Sequence, residues 1–168
     1  MQKQTYLPLI RLKMVKELDL PYSGEQLKSP EQVAKFASQV LEGADKEHIL
    51  VISVSAKCQP LALEIVSIGS LDAAIAVPRE IFKHAVMSNA AGILLVHNHP
   101  SGDCEPSEED FRMTKRMQKA GELLGIHVYD HVIVGADGCY CSLCRLSSKT
   151  ATCAILSGQR ESYYPAGH

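Results

Sequence analysis

Long apolar runs are missing from this chain. Nowhere in its 168 residues do about 18 apolar side chains follow one another, the length a helix needs to cross a bilayer, so no membrane span is expected. The opening Met1-Gln2-Lys3-Gln4-Thr5-Tyr6 has no apolar core of the signal-peptide kind, and a cytoplasmic location is the expectation. Charge of one sign is equally scarce. Seventeen Lys and Arg stand against 19 Asp and Glu, a net charge of −2, which gives no general attraction to nucleic acid. Any DNA contact would need a local patch. Arg112, Lys115, Arg116 and Lys119 on one helix are the candidates, although a solvated helix face is the simpler reading. No internal repeat is visible. What remains is a chain long enough for one domain with a real core.

Six cysteines are present, and without an export signal they are not expected to form disulfides. Cys139-x-Cys141-x-x-Cys144, with Cys153 nine residues on, raises the question of a thiolate zinc site. No second Cys-x-x-Cys follows, so small buried residues are the simpler reading.

The order of local signals is mixed. Residues 1–28 are weakly patterned, with Pro8, Pro21 and Gly24, and read as an extended arm or a small strand. Ser29-Pro30-Glu31-Gln32 opens a helix, with Ser as N-cap and Pro at the first helical position. Val33, Phe36, Ala37, Val40 and Leu41 give that helix an apolar stripe. Ile49 to Val54 and Leu61 to Ile68 read as paired strands around a turn at Ser55 to Pro60. Pro78 opens a second helix to about Asn89. A short apolar strand, Ile93 to Val96, precedes a loop and a third helix. Ile126 to Gly135 is a strand, Ala136-Asp137-Gly138 a hairpin signal, and Cys139 to Leu143 its partner. The segment 148–168 is polar and small and reads as a loosely held tail. Strands and helices in this order imply an α/β domain on a mixed sheet, over 29–147.

The chemistry concentrates at His97-Asn98-His99-Pro100, followed by Ser107 and Asp110. Two histidines and a carboxylate form a common ligand set for catalytic zinc, leaving a fourth position for water. His97 and His99 lie at i and i+2, so at a strand end both rings project to one side. Pro100-Ser101-Gly102-Asp103 reads as a turn. Ser107-x-x-Asp110 fits a capping box at the start of the third helix. Asp110 shares its helical face with Met113, Thr114 and Met117 and is expected to point inward. A buried carboxylate needs a partner, and a metal held by two histidines would be one. Asn98 points the other way and receives no ligand role. Asp103 reads as a turn residue bonding its own backbone.

His97-x-His99-Pro100-x6-Ser107-x2-Asp110 resembles the metalloprotease motif of JAB/MPN domains, the JAMM motif. The match is closer to the RadC-like branch, through Val77-Pro78-Arg79-Glu80-Ile81-Phe82-Lys83, Asn89-Ala90-Ala91, Gly121-x-Leu123-Leu124-Gly125-Ile126 and Asp130-His131-Val132-Ile133-Val134-Gly135. The resemblance spans roughly residues 45 to 146. It implies a single JAB/MPN domain of cytidine-deaminase-like architecture. It further implies a Zn2+ ion on His97, His99 and Asp110, and an upstream glutamate as general base. Two glutamates compete for that role: Glu47, which resembles the family's upstream glutamate in position, and Glu64, inside an apolar strand. Ser107 would hold the attacking water or the oxyanion, with pure capping as the alternative. Asp130-His131 would be structural or would orient a ligand histidine. Cys104 stands where the family commonly has proline, placing a thiol near the metal as an adventitious ligand or an oxidation site.

The activity implied is zinc-dependent hydrolysis of a peptide or isopeptide bond in a peptide or protein substrate. The alternative is a role in DNA repair or recombination, as a metal-dependent nuclease or a binding module. Full-length RadC proteins carry an N-terminal helix-hairpin-helix region. Residues 1–28 are too short for one, which weakens the DNA expectation.

Overall fold

A computed structural model describes residues 6–69 and 77–148. Helix α1 (Pro30–Val40) is followed by strands β1 (His48–Val54) and β2 (Pro60–Ile68), then helix α2 (Pro78–Met87) and strand β3 (Gly92–Asn98). Helix α3 (Glu108–Leu124), strand β4 (His127–Val134), a 3-10 turn (Ala136–Gly138), strand β5 (Tyr140–Ser142) and helix α4 (Leu143–Ser148) complete it. The sheet runs β2-β1-β3-β4-β5, with β3 and β4 parallel and the other neighbours antiparallel.

Both faces of the central strands are covered. All seven residues of β3 are buried, as are six of the seven in β1. Such strands read as continuous apolar runs, because each alternate side chain meets a different helical layer. Leu50, Ile52, Leu94, Val96, Val132 and Val134 face Val33, Ala34 and Ala37 of α1. Ile49, Val51, Ile93 and Leu95 face Ile81, Phe82 and Ala85 of α2 and Met113 and Met117 of α3. The mixed α/β sandwich expected from the sequence is therefore the fold observed.

Local signals set the helix starts. Ser29 accepts the Gln32 N–H while the Gln32 side chain accepts the Ser29 N–H, a complete capping box ahead of Pro30. Helix α3 ends at Gly125, whose φ of 68° suits glycine.

One element departs from the expectation. Strand β5 stops at Ser142, and α4 begins at Leu143 where the strand was to continue. The cause is tertiary: Ser142 Oγ donates to the buried Asp130 carboxylate and accepts the Arg145 N–H, while the Cys144 N–H donates to Asp130 Oδ1. These bonds turn the chain into a helix. Residues 6–28 contain no strand or helix. Tyr22 packs edge-on against Phe36 at 5.5 Å, and the buried Leu27 donates its N–H to Cys58 O. Of the tail, residues 149–168, with Cys153, lie outside the described residues.

The expectation that the cysteines stay unpaired is corrected: Cys104 and Cys139 form a disulfide, with a Cα separation of 6.1 Å. The loop after β3 lies against the turn after β4, where the Ala136 N–H donates to Gly102 O. A Cβ on Gly135 would sit 2.3 Å from Gly102 O, so glycine permits the approach that brings the two sulfurs together. Cys139 is thereby taken out of the thiolate cluster considered above, and Cys104 presents no thiol to the metal site. Cys141 and Cys144 lie outside the disulfide. Burial first, and the neighbouring Asp130 carboxylate next, push the Cys144 thiol up to about 12, so it carries no thiolate at neutral pH.

Candidate metal centre

Strand β3 delivers His97 to the α2/α3 side of the sheet, on the same face as Ile93 and Leu95. The chain continues past the strand end with the His99 N–H donating to Val134 O, and it turns back where Gly102 N–H donates to His99 O. The two rings meet: His97 Nε2 and His99 Nε2 lie 2.9 Å apart. Ser107 caps α3 one turn ahead of Asp110, which is fully buried and directed at the histidines. Asp110 Oδ1 lies 3.2 Å from His97 Nε2, and Oδ2 lies 3.8 Å from His99 Nε2. The three residues singled out as ligands are thus brought together.

The polar accounting at this point is unbalanced in one direction. His99 Nδ1 lies 2.8 Å from Asp103 O, and a carbonyl only accepts, so the proton of the neutral ring is on Nδ1 and Nε2 is bare. Asp110 Oδ2 accepts the Ser107 N–H and hydroxyl at 2.7 and 2.6 Å. Asp110 Oδ1 is buried and has no hydrogen-bond partner. An acceptor-rich pocket of this kind calls for a cation between its members. Zinc with nitrogens at about 2.05 Å and tetrahedral angles would set two ligand nitrogens about 3.3 Å apart, a few tenths of an ångström from the separation here. The donor set fits a divalent metal ion.

Glu47 joins the cluster from the loop just before β1. Its Oε1 lies 4.0 Å from His97 Nε2, and with His97 and His99 it offers ligand atoms all within 4.8 Å of one another. Glu64 does not join it. Its carboxylate pairs with His84 of α2, on the outer strand β2. Burial raises the Glu64 pKa, and the His84 charge works against that rise.

Asn98 was given no role from the sequence, yet it holds Glu47 in place. Its Oδ1 accepts the His48 N–H at 2.8 Å, and its Nδ2 donates to Lys46 O at 2.9 Å. The side chain grips both neighbours of Glu47. A buried amide in an otherwise apolar strand was the available signal, since such a group must find partners. Asp103 is a turn residue as expected, its carboxylate accepting the Glu105 N–H.

Burial alone would raise the Asp110 pKa. The neighbouring His97 ring and then the Ser107 donors work against it and hold the carboxyl well below the usual carboxylate range. Ser107 has one hydroxyl hydrogen, and here it goes to Asp110 Oδ2 while the oxygen accepts the Asp110 N–H at 3.3 Å. His131 of β4 stands behind His97, its Nε2 2.8 Å from His97 Nδ1. Asp130 anchors the neighbouring backbone, accepting the His131 N–H at 2.8 Å. On the outer side of α3, Arg112 is occupied by Glu108 and Glu109 at 2.9 and 2.6 Å, which lowers the net positive charge of that face.

Comparison with known proteins gives matches over most of the chain. The model of the RadC-like JAB domain matches residues 27–149. A UPF0758 protein of Shouchella clausii is 44% identical over 117 residues, 70% of this chain and 50% of the relative. One from Desulforamulus reducens is 47% identical over 109 residues, covering 65% and 48%. Another, from Caldanaerobacter subterraneus, is 45% identical over 132 residues, covering 75% and 57%. The chain spans about half the length of the curated relatives it matches.

Proposed function

The chain belongs to the RadC-like JAB domain family, and from that premise we propose that it is a zinc-dependent hydrolase acting on a peptide or isopeptide bond. One observation carries the reading: the bare Nε2 of His99, Nε2 of His97 and the orphaned Oδ1 of Asp110 converge on one point, with the Glu47 carboxylate 4.0 Å from His97. His97, His99 and Asp110 would hold the ion. When bound, zinc polarises a carbonyl and lowers the pKa of water to near neutrality.

The chain's own groups do the rest. Glu47, about one-fifth exposed, takes the proton of the attacking water and returns it to the leaving amine. Asn98 keeps that carboxylate on the histidine side of the sheet by fixing Lys46 and His48. Ser107 holds Asp110 in its ligand orientation through two donors on one oxygen. The buried face of α3 excludes bulk water from behind the histidines.

The test is metal content and turnover together. Wild-type protein reconstituted with zinc is expected to bind one ion per chain, and His97→Ala and Asp110→Ala to lose it. Glu47→Gln is expected to keep the ion while turnover of the cleaved peptide or isopeptide falls by about 10²–10⁴-fold. Single- and double-stranded DNA run beside the peptide panels. Cleavage of DNA alone, lost in the ligand variants, would replace this reading with a nuclease.

A further inference from the structure

Behind the metal ligands lie two side chains, Thr114 and His131, that the His-x-His…Ser…Asp motif does not include. Thr114, one turn after Asp110 on α3, is buried, and its Oγ1 lies 2.7 Å from the main-chain O of Asp110. A carbonyl cannot donate, so the single hydroxyl hydrogen of Thr114 goes there. The same Oγ1 lies 2.7 Å from His131 Nδ1. With its hydrogen committed, the hydroxyl can only accept, and His131 Nδ1 must carry the proton. His131 is fully buried, with no carboxylate on either ring nitrogen, and is neutral, so its Nε2 is an acceptor. That nitrogen faces His97 Nδ1 at 2.8 Å, so His97 donates from Nδ1. A neutral His97 is then left bare at Nε2, the atom that points at His99 and Asp110.

We propose that Thr114 and His131 are positioning residues that fix the His97 tautomer for metal binding, the Thr114 hydroxyl setting the direction of the whole relay. The relay begins at the main-chain carbonyl of Asp110 and ends at the ion that the Asp110 side chain would hold. It therefore ties the register of α3 to the donor state of a ligand on β3. His99 reaches the same bare Nε2 by another route, through Asp103 O, so only His97 depends on α3 in this way. The inference rests on the metal-binding reading above.

The decisive comparison is Thr114→Val, which keeps the shape and removes the hydroxyl, against Thr114→Ser, which keeps the hydroxyl. Zinc dissociation constants are measured by chelator competition, with circular dichroism as a check on folding. Thr114→Val is expected to weaken zinc binding by about 10–100-fold, the effect typical of losing a group that orients a ligand. Thr114→Ser is expected to stay within a few-fold of wild type. Nitrogen-15 spectra of labelled histidines in metal-free wild-type protein are expected to show His131 protonated at Nδ1 and bare at Nε2. Equal zinc affinity in Thr114→Val and wild type would overturn the relay and leave the metal site standing. Equal losses in Val and Ser would also overturn it, since packing and not the hydroxyl would then matter. A wild type that binds no zinc would overturn the metal reading and the relay with it. A His131 protonated at Nε2 would overturn the relay whatever the zinc result.

Discussion

Removing the Cys104–Cys139 disulfide tests how the metal loop is held. The bond closes a stretch of 35 residues that contains all of α3 and β4. In the chain-entropy account, cross-linking residues 35 apart removes about 12.7 cal/mol/K from the unfolded chain, or ~3.8 kcal/mol at room temperature. For a domain whose urea dependence is ~2 kcal/mol/M, the unfolding midpoint of Cys104→Ala/Cys139→Ala should fall by about 2 M. Dithiothreitol should lower the wild type to the same midpoint and leave the double variant unchanged. Alkylation before and after reduction should reveal two additional thiols in the wild type. The loop also holds His99 through Asp103 O, so zinc affinity should drop along with stability. Coincident midpoints for oxidised wild type and the double variant would refute the reasoning. The contacts of Gly102 with Gly135 and Ala136 would then suffice to seat the loop.

Three further outcomes follow from the geometry. Gly135→Ala places a Cβ 2.3 Å from Gly102 O, a main-chain atom that cannot swing aside, and should cost at least about 1–3 kcal/mol in urea denaturation; an unchanged midpoint would mean the loop can move away freely. Asn98→Leu strands the His48 N–H and leaves the Lys46 carbonyl with only the His48 ring nitrogen, with a stability loss of about 1–3 kcal/mol. Zinc should still bind this variant while turnover falls, and intact turnover would remove Asn98 from the positioning of Glu47. Burial above all holds the His131 pKa well below its usual value near 6.5. Between the folded and unfolded pKa values the unfolded chain binds a proton that the folded one refuses. Stability from this group is therefore whole above about pH 6.5 and declines as the pH falls, by up to ~1.4 kcal/mol per unit. Urea denaturation of EDTA-treated protein at about pH 7.5 and 5.5 measures the slope, and a flat profile would contradict the neutral buried ring.

The sequence by itself determined what depends on neighbours along the chain. The capping boxes at Ser29 and Ser107 fix helix starts because donor and acceptor are three residues apart. The apolar runs of β1 and β3 announce strands covered on both faces, and so the α/β class. His97, His99 and Asp110 are legible as one set, since a strand end, a turn and a helix start bring them together within 14 residues of chain. Tertiary structure decided the contacts that cross the sheet. Glu47 reaches the histidines because β1 pairs with β3, placing Ile49 opposite His97, whereas Glu64 lies one strand further out. No periodicity distinguishes those two glutamates. His131 stands behind His97 because β4 lies parallel to β3. The Cys104–Cys139 bond and the early end of β5 arise in the same way, from a loop meeting a turn and from a buried carboxylate gathering distant donors. Local pattern encodes elements and the residues that neighbour one another along the chain. The partners of a buried polar group are chosen by which strands lie side by side, and that choice exists only in the folded sheet.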